Sequence, residues 1–290
     1  MYSTIEPLEA RIAPAAFITY TDVDGDLVKI TASKGPLSLD NFTLVGTTAG
    51  NLAAWLTLTD PGFQGAAIAF TVTAKGGGDG RVKVAEIYAA GVDLSSVTIK
   101  GDLQKISVGD GAEETPGLGL LSVGTLGPLA YDVNGALLYN NARSTVSGAI
   151  GALKIAGDFE GARLEVYGGI GSITIGGSLL ASPAQPGGTI LSAHITATGK
   201  IGNITIGGDF EGGAGEGNGL INAGGALGNV KIGRDLLGSG GSRAATSTER
   251  PSATSASGAI SWAARAISAG ASAAKGKSAP SPSAAISLGG

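Results

Sequence analysis

The chain has no cysteine, one histidine and one methionine in 290 residues. Without cysteine, neither disulfides nor thiolate metal sites can form. With His194 alone, a His-rich metal site cannot be assembled, and any Ser/His/Asp set would have to centre on that one residue. His194 lies in the strand-like stretch ILSAHITA and reads as an ordinary strand residue. Aromatic residues make up 5% of the chain, charged residues 14%, and the net charge is −4. A mildly acidic chain without a basic cluster in its repeats argues against nucleic acid and against an anionic membrane surface as partners. No apolar run approaches the ~18 residues of a membrane helix. The N-terminus shows no basic segment followed by an apolar core, so no ordinary signal peptide is visible.

Glycine, by contrast, is abundant, at 51 residues, and hydrophobic residues reach 43%. The glycines follow no G-X-Y period, which excludes collagen. The apolar content and low net charge separate the body of the chain from disordered sequences.

A phrase recurs through the middle of the chain. It reads IGALKIAGDF at residues 150–159, IGSITIGGSL at 170–179, IGNITIGGDF at 201–210 and LGNVKIGRDL at 227–236, with a looser copy, LSSVTIKGDL, at 94–103. Self-similarity at ~20–50 residues marks a solenoid or array. β-branched residues at alternate positions (Val97 and Ile99, Ile173 and Ile175, Ile204 and Ile206) place pairs on one face of a short strand. Secondary strands at 163–167, 190–196 and 220–223 fill the gaps between copies, and 181–188 and 213–219 read as loops. This pattern predicts an all-β parallel β-helix, with equivalent Ile and Val side chains stacked at the ~4.8 Å strand spacing. An antiparallel sandwich is the alternative fold.

Ahead of the repeats, residues 17–21 and 27–32 alternate around the turn DVDGD (22–26), a hairpin signature. Further strands are expected at 52–59, 67–74 and 81–87, punctuated by Asp60-Pro61-Gly62 and by GGGDG at 76–80. The predicted organisation is a polar leader (1–16), an antiparallel N-terminal β cap (17–90), β-solenoid repeats (91–241) and a disordered Ala/Ser tail (242–290).

The tail is another kind of sequence. Alanine and serine make up more than half of it, aspartate disappears, and basic residues outnumber acidic ones. The genetic code offers a reason. Written in GC-rich codons, SGAISWAAR (257–265) is TCG GGC GCG ATC TCG TGG GCG GCG CGG. Regrouped one base earlier, it encodes an apolar residue followed by GRDLVGG, close to IGRDLLG at 232–238. With other codons chosen for Ser281, Pro282 and Leu288, SPSAAISLG (281–289) regroups to VSIGGDLVG, close to residues 204–212. These matches predict a frameshift near Gly240.

Candidate chemistry centres on acids. Asp102, Asp158, Asp209 and Asp235 hold one place in the phrase, so stacked copies would line them along an edge able to bind Ca²⁺. The same edge, with Lys or Arg such as Arg234, is what a polysaccharide lyase or hydrolase would use. The competing reading is a turn aspartate bonding its own backbone. Ser178, which interrupts the ladder, favours it. Glu160 and Glu211 follow two of the copies. Asp22, Asp24 and Asp26 resemble the start of a Ca²⁺ loop, but its twelfth position holds Ser33 instead of glutamate, so a hairpin turn is preferred. Residues 212–220 (GGAGEGNGL) lack the aspartate of Ca²⁺-binding nonapeptides. Residues 76–80 lack the Gly-Lys-Ser/Thr of a phosphate loop. Trp55 and the tyrosines are dispersed along the chain.

Glu6-Pro7-Leu8-Glu9-Ala10-Arg11 resembles the Leu-Glu-Pro-Arg leader on large surface or secreted proteins of planctomycete-type and verrucomicrobial bacteria, with Ala10 where that motif has proline. With FITYTDVDGDLVKIT, GGGDGRV and the IGxITIGGDF repeats, residues 5–241 resemble uncharacterised repeat proteins of those bacteria. The resemblance implies a cell-surface or secreted β-solenoid and carries over no catalytic residue. The expectation is therefore a non-enzymatic, extracytoplasmic structural or adhesive protein. It has no cofactor other than the Ca²⁺ candidate, and carbohydrate or other surface proteins are its partners. The alternative is a polysaccharide-active β-helix enzyme.

Overall fold

The computed structural model describes residues 16–22, 24–47, 50–112, 116–128, 142–181, 193–212, 219–237 and 246–249. The expected leader, most of the two expected loops and the tail from residue 250 lie outside the described residues. The described fold is all-β. It contains two single-turn 3₁₀ segments, Leu39–Asn41 and Pro61–Phe63, and no α-helix among the described residues. No helix there is long and apolar enough to cross a membrane, which says nothing of a β-barrel.

Strands β1 (Ala16–Thr21) and β2 (Leu27–Ala32) form the expected hairpin, antiparallel with Thr21 opposite Leu27. Val28 and Ile30 both face the core at 0% exposure. Strands β3 (Phe42–Thr47) and β4 (Gly50–Thr57) form a second antiparallel pair. The signal at Asp60-Pro61-Gly62 becomes a 3₁₀ turn, because the Asp60 carboxylate accepts the Gly62 N–H at 2.7 Å and proline suits its first position. Strands β5 (Ala66–Thr73), β6 (Val82–Ala90), β7 (Leu94–Ile99) and β8 (Gly101–Gly109) follow. Strand β5 still pairs antiparallel with β2 on one side, but it pairs in parallel with β7 on the other. Likewise β4 pairs in parallel with β6, and β6 with β8. Parallel stacking therefore begins well ahead of residue 91.

From residue 118 a three-strand unit repeats. The units are β9 (Leu118–Val123), β10 (Thr125–Leu126) and β11 (Arg143–Val146); β12 (Ile150–Ile155), β13 (Phe159–Glu160) and β14 (Arg163–Val166); β15 (Ile170–Ile175), β16 (Leu179–Leu180) and β17 (His194–Ala197); β18 (Ile201–Ile206), β19 (Phe210–Glu211) and β20 (Leu220–Ala223); and β21 (Val230–Ile232), β22 (Leu236–Leu237) and β23 (Thr246–Glu249). The first strands of the units join one nine-stranded sheet in the order β1-β2-β5-β7-β9-β12-β15-β18-β21. The second and third strands form two arms of a larger sheet that meet on β8, one arm pairing with Asp102 and Leu103, the other with Ser107 and Val108. All these stacked pairings are parallel, so an antiparallel sandwich does not describe them.

The phrase explains the core. In each first strand its first, fourth and sixth residues point inward: Ile150, Leu153 and Ile155, then Ile170, Ile173 and Ile175, then Ile201, Ile204 and Ile206, all at 1% exposure or less. Ile173 sits opposite Leu153 on one side and Ile204 on the other, so like packs on like. The large apolar residue closing the phrase does the same in the second strands, with Phe159, Leu179 and Phe210 stacked and buried. Burying such a side chain contributes about 1.5–3 kcal/mol.

Within the expected tail, Thr246–Glu249 pairs in parallel with Leu220–Ala223 on the third-strand arm. Replacing Ile173 with alanine is expected to cost about 2–5 kcal/mol in urea unfolding, whereas Thr174→Ala on the exposed face of the same strand should stay within about 0.5 kcal/mol.

Candidate functional site

The phrase aspartates do line one edge, and their side chains are engaged there. The Asp158 carboxylate accepts the backbone N–H of Ser178 at 2.7 Å. The Ser178 hydroxyl oxygen accepts the Asp209 N–H at 2.9 Å, and Asp209 accepts the Asp235 N–H at 3.0 Å. Ser178 therefore continues the ladder, since a hydroxyl oxygen serves as acceptor as a carboxylate does. The bonds run to the next unit's backbone and not to the residue's own turn, as the turn reading had it. The glycine at 177 makes room for this: a Cβ there would collide with the Asp158 carboxylate, and at 208 with the Ser178 hydroxyl. Asp102 lies in the same row, opposite Thr125, but is bonded differently: it is 2.6 Å from the Arg81 guanidinium and accepts the Thr125 hydroxyl at 2.8 Å. Glu160, beside the ladder, has its carboxyl pushed above the ordinary range, first by partial burial and then by the charge of Asp158.

The DVDGD turn builds a second acidic cluster, with carboxylate oxygens of Asp22, Asp24 and Asp26 within 4.8 Å of one another. Asp26 is fully buried, and its two oxygens accept the N–H groups of Lys75 (2.8 Å) and Gly80 (2.6 Å). It thereby anchors both ends of the GGGDG loop. A Cβ at Gly78 would strike this carboxylate, so the loop requires glycine there. Asp22 accepts the Asp26 N–H at 2.8 Å, and Asp24 accepts the Asp79 N–H at 2.9 Å. Burial, together with its hydrogen bond to Asp24, pushes the Asp22 carboxyl up to about 6; the same hydrogen bond holds Asp24 below its ordinary value. Ca²⁺ takes 6–8 oxygen ligands. Each of these three carboxylates already accepts a backbone N–H, and three carboxylates supply only part of such a ligand set. The cluster acts as a clasp between hairpin and loop.

A third arrangement escaped sequence reasoning. Register stacks Arg143, Arg163 and His194 in one outward row, and Thr145, Glu165, Thr196 and Asn222 in the next. Glu165, only 8% exposed, is held between two guanidinium groups, with Arg163 Nε at 2.5 Å and Arg143 on its other oxygen. Beside it opens a groove of about 440 Å³ lined by Glu165, Tyr167, Thr196, Thr198 and Asn222 among others. Tyr167 is 56% exposed at its rim. These residues belong to three different copies of the repeat, and only the register brings them together. The sequence signal was present in Arg143 and Arg163, which occupy equal places in successive units.

No protein-family model, curated protein or solved structure matches the chain.

Asp26→Ala is expected to lower stability by at least about 1–3 kcal/mol, the cost of orphaning a buried donor, and to speed amide exchange at Lys75 and Gly80. The raised Asp22 value has a definite sign. Between about pH 4 and 6 the folded protein holds a proton that the unfolded chain has released, so this group's contribution to stability falls as the pH rises through that window. Asp22→Asn keeps the acceptor for Asp26 N–H and should abolish that fall, read as the difference in Tm between variant and wild type across the window.

Proposed function

We propose that the protein is a non-enzymatic β-solenoid with a structural or adhesive role outside the cytoplasm. It presents its stacked outward rows to carbohydrate or to other surface proteins. The observation that carries the reading is the groove of Glu165, Thr196, Thr198 and Asn222 with Tyr167 at its rim, on a face that repeats from unit to unit. Sugars suit such a surface, since hydroxyl, amide and carboxylate groups satisfy their hydroxyls and an exposed aromatic ring covers an apolar sugar face.

The parallel stacking of successive units and the piling of like apolar residues support the solenoid. The resemblance to surface repeat proteins of planctomycete-type and verrucomicrobial bacteria supports the location. The enzyme alternative asks for acidic groups free to act on a substrate. Against it stands the engagement of Asp158 and Asp209 with the backbone and of Asp102 with Arg81. No cofactor is assigned.

Co-sedimentation with a panel of insoluble polysaccharides tests the reading. At least one polymer should retain the protein, and Tyr167→Ala should weaken retention roughly tenfold at unchanged Tm, as expected for loss of an aromatic contact worth ~1 kcal/mol or more. Absence of retention on every polymer would remove carbohydrate as partner. Release of new reducing ends or of unsaturated sugars would establish the enzyme alternative instead.

A further inference from the structure

We propose that the first and second strands of the last unit, residues 227–237, form a docking edge for two further units of the same phrase, which the gene carries one base out of frame beneath the Ala/Ser tail. The proposal rests on the stacked-unit reading given above.

The last unit is uncovered where its predecessors are closed. Ile201, Ile204 and Ile206 are buried, while their successors Leu227, Val230 and Ile232 are only partly so. In the second strands Phe159, Leu179 and Phe210 are at 3% exposure or less, but Leu236 and Leu237 stand at 39% and 45%. Among the described residues, β21 and β22 are paired on one side only. The acceptor ladder also stops there: Asp158, Ser178 and Asp209 each receive the N–H of a following unit, and among the described residues Asp235 receives none.

The tail names the occupant. In GC-rich codons residues 254–264 regroup, one base earlier, to VGVGRDLVGG. This aligns without gaps with residues 230–236 (VKIGRDL), differing only at Lys231 and Ile232. The shifted aspartate falls on the codon for Ile260, 25 residues beyond Asp235. The second regrouped phrase, GGDL, puts its aspartate on the codon for Ile286, 26 residues further on. The ladder residues in the folded chain are 20, 31 and 26 apart, so both ghosts stand at unit spacing. A third Ala-Ile-Ser, at residues 266–268, is off this spacing and contributes no unit. The in-frame chain meanwhile sets Glu249 opposite Ala223, in an arm position that Val108, Val146, Val166 and Ala197 fill before it. Apolar pattern is thus lost before residue 249, as a frame change near Gly240 requires. In register, the shifted Val and Leu residues would cover Val230, Ile232 and Leu236, and the shifted aspartate N–H would reach the Asp235 carboxylate.

The test begins with the coding DNA and continues with two chains. One base is inserted after the codon for Gly240; separately, residues 238–290 are replaced by a copy of residues 212–237. Amide exchange is then followed at 201–206 and 230–237. The shifted frame should carry both phrases, and protection at 230–237 should rise at least roughly tenfold in both chains, towards that of the buried strand before it. A shifted frame without the phrases overturns the proposal. So does unchanged exchange at 230–237 in both chains while 201–206 stays protected. If 201–206 exchanges as freely as an unfolded chain, it is the stacked-unit reading itself that fails.

Discussion

Everything in this fold depends on one constraint: each unit must lie in parallel register on the one before it, so that like side chains meet at the strand spacing. Ile173 between Leu153 and Ile204, or Leu179 between Phe159 and Phe210, gains its burial from neighbours in other units and not from its own. A unit alone has three short strands and no second layer to cover them. Its stability is therefore shared with its neighbours, as in other repeat architectures.

The polar side of the phrase serves the same constraint. A corner that turns every few residues leaves backbone N–H groups outside the sheet ladders, and an unpaired buried donor is costly. Asp158, Ser178 and Asp209 meet these donors one unit on. Asp26 does so at the other end of the molecule, where it clasps the glycine loop to the first hairpin. Asp26, Asp158 and Asp209 are thus acceptors for backbone N–H groups of neighbouring segments. The Tyr167 groove is formed on the outward rows.

Much of this was legible in the sequence. The hairpin at DVDGD, the turn at Asp60-Pro61-Gly62 and the inward Ile and Val positions follow from local alternation and turn chemistry, which need no knowledge of distant residues. The Glu165 site was not legible in this way, because Arg143, Glu165, Thr196 and Asn222 become neighbours only through register across units of unequal length. The role of Ser178 was misjudged for the same reason: as a letter in a phrase it breaks a run of aspartates, but as an oxygen in the stack it continues a run of acceptors. Where parallel stacking starts was also hidden, since β5 belongs to an antiparallel pair on one side and a parallel pair on the other.

The most direct measurement uses the absence of cysteine. Thr174 and Thr205 face outward and are register partners in adjacent first strands, so Thr174→Cys and Thr205→Cys can be introduced together into an otherwise thiol-free chain. Parallel neighbours at about 4.8 Å lie within the Cα range of a disulfide. Spin labels on the two thiols should accordingly couple strongly, and mild oxidation should crosslink them. Thr174→Cys paired with Thr98→Cys, which lies further along the same sheet, should do neither. Weak coupling between labels at 174 and 205, with no crosslink, would contradict the stacked register on which the whole account stands.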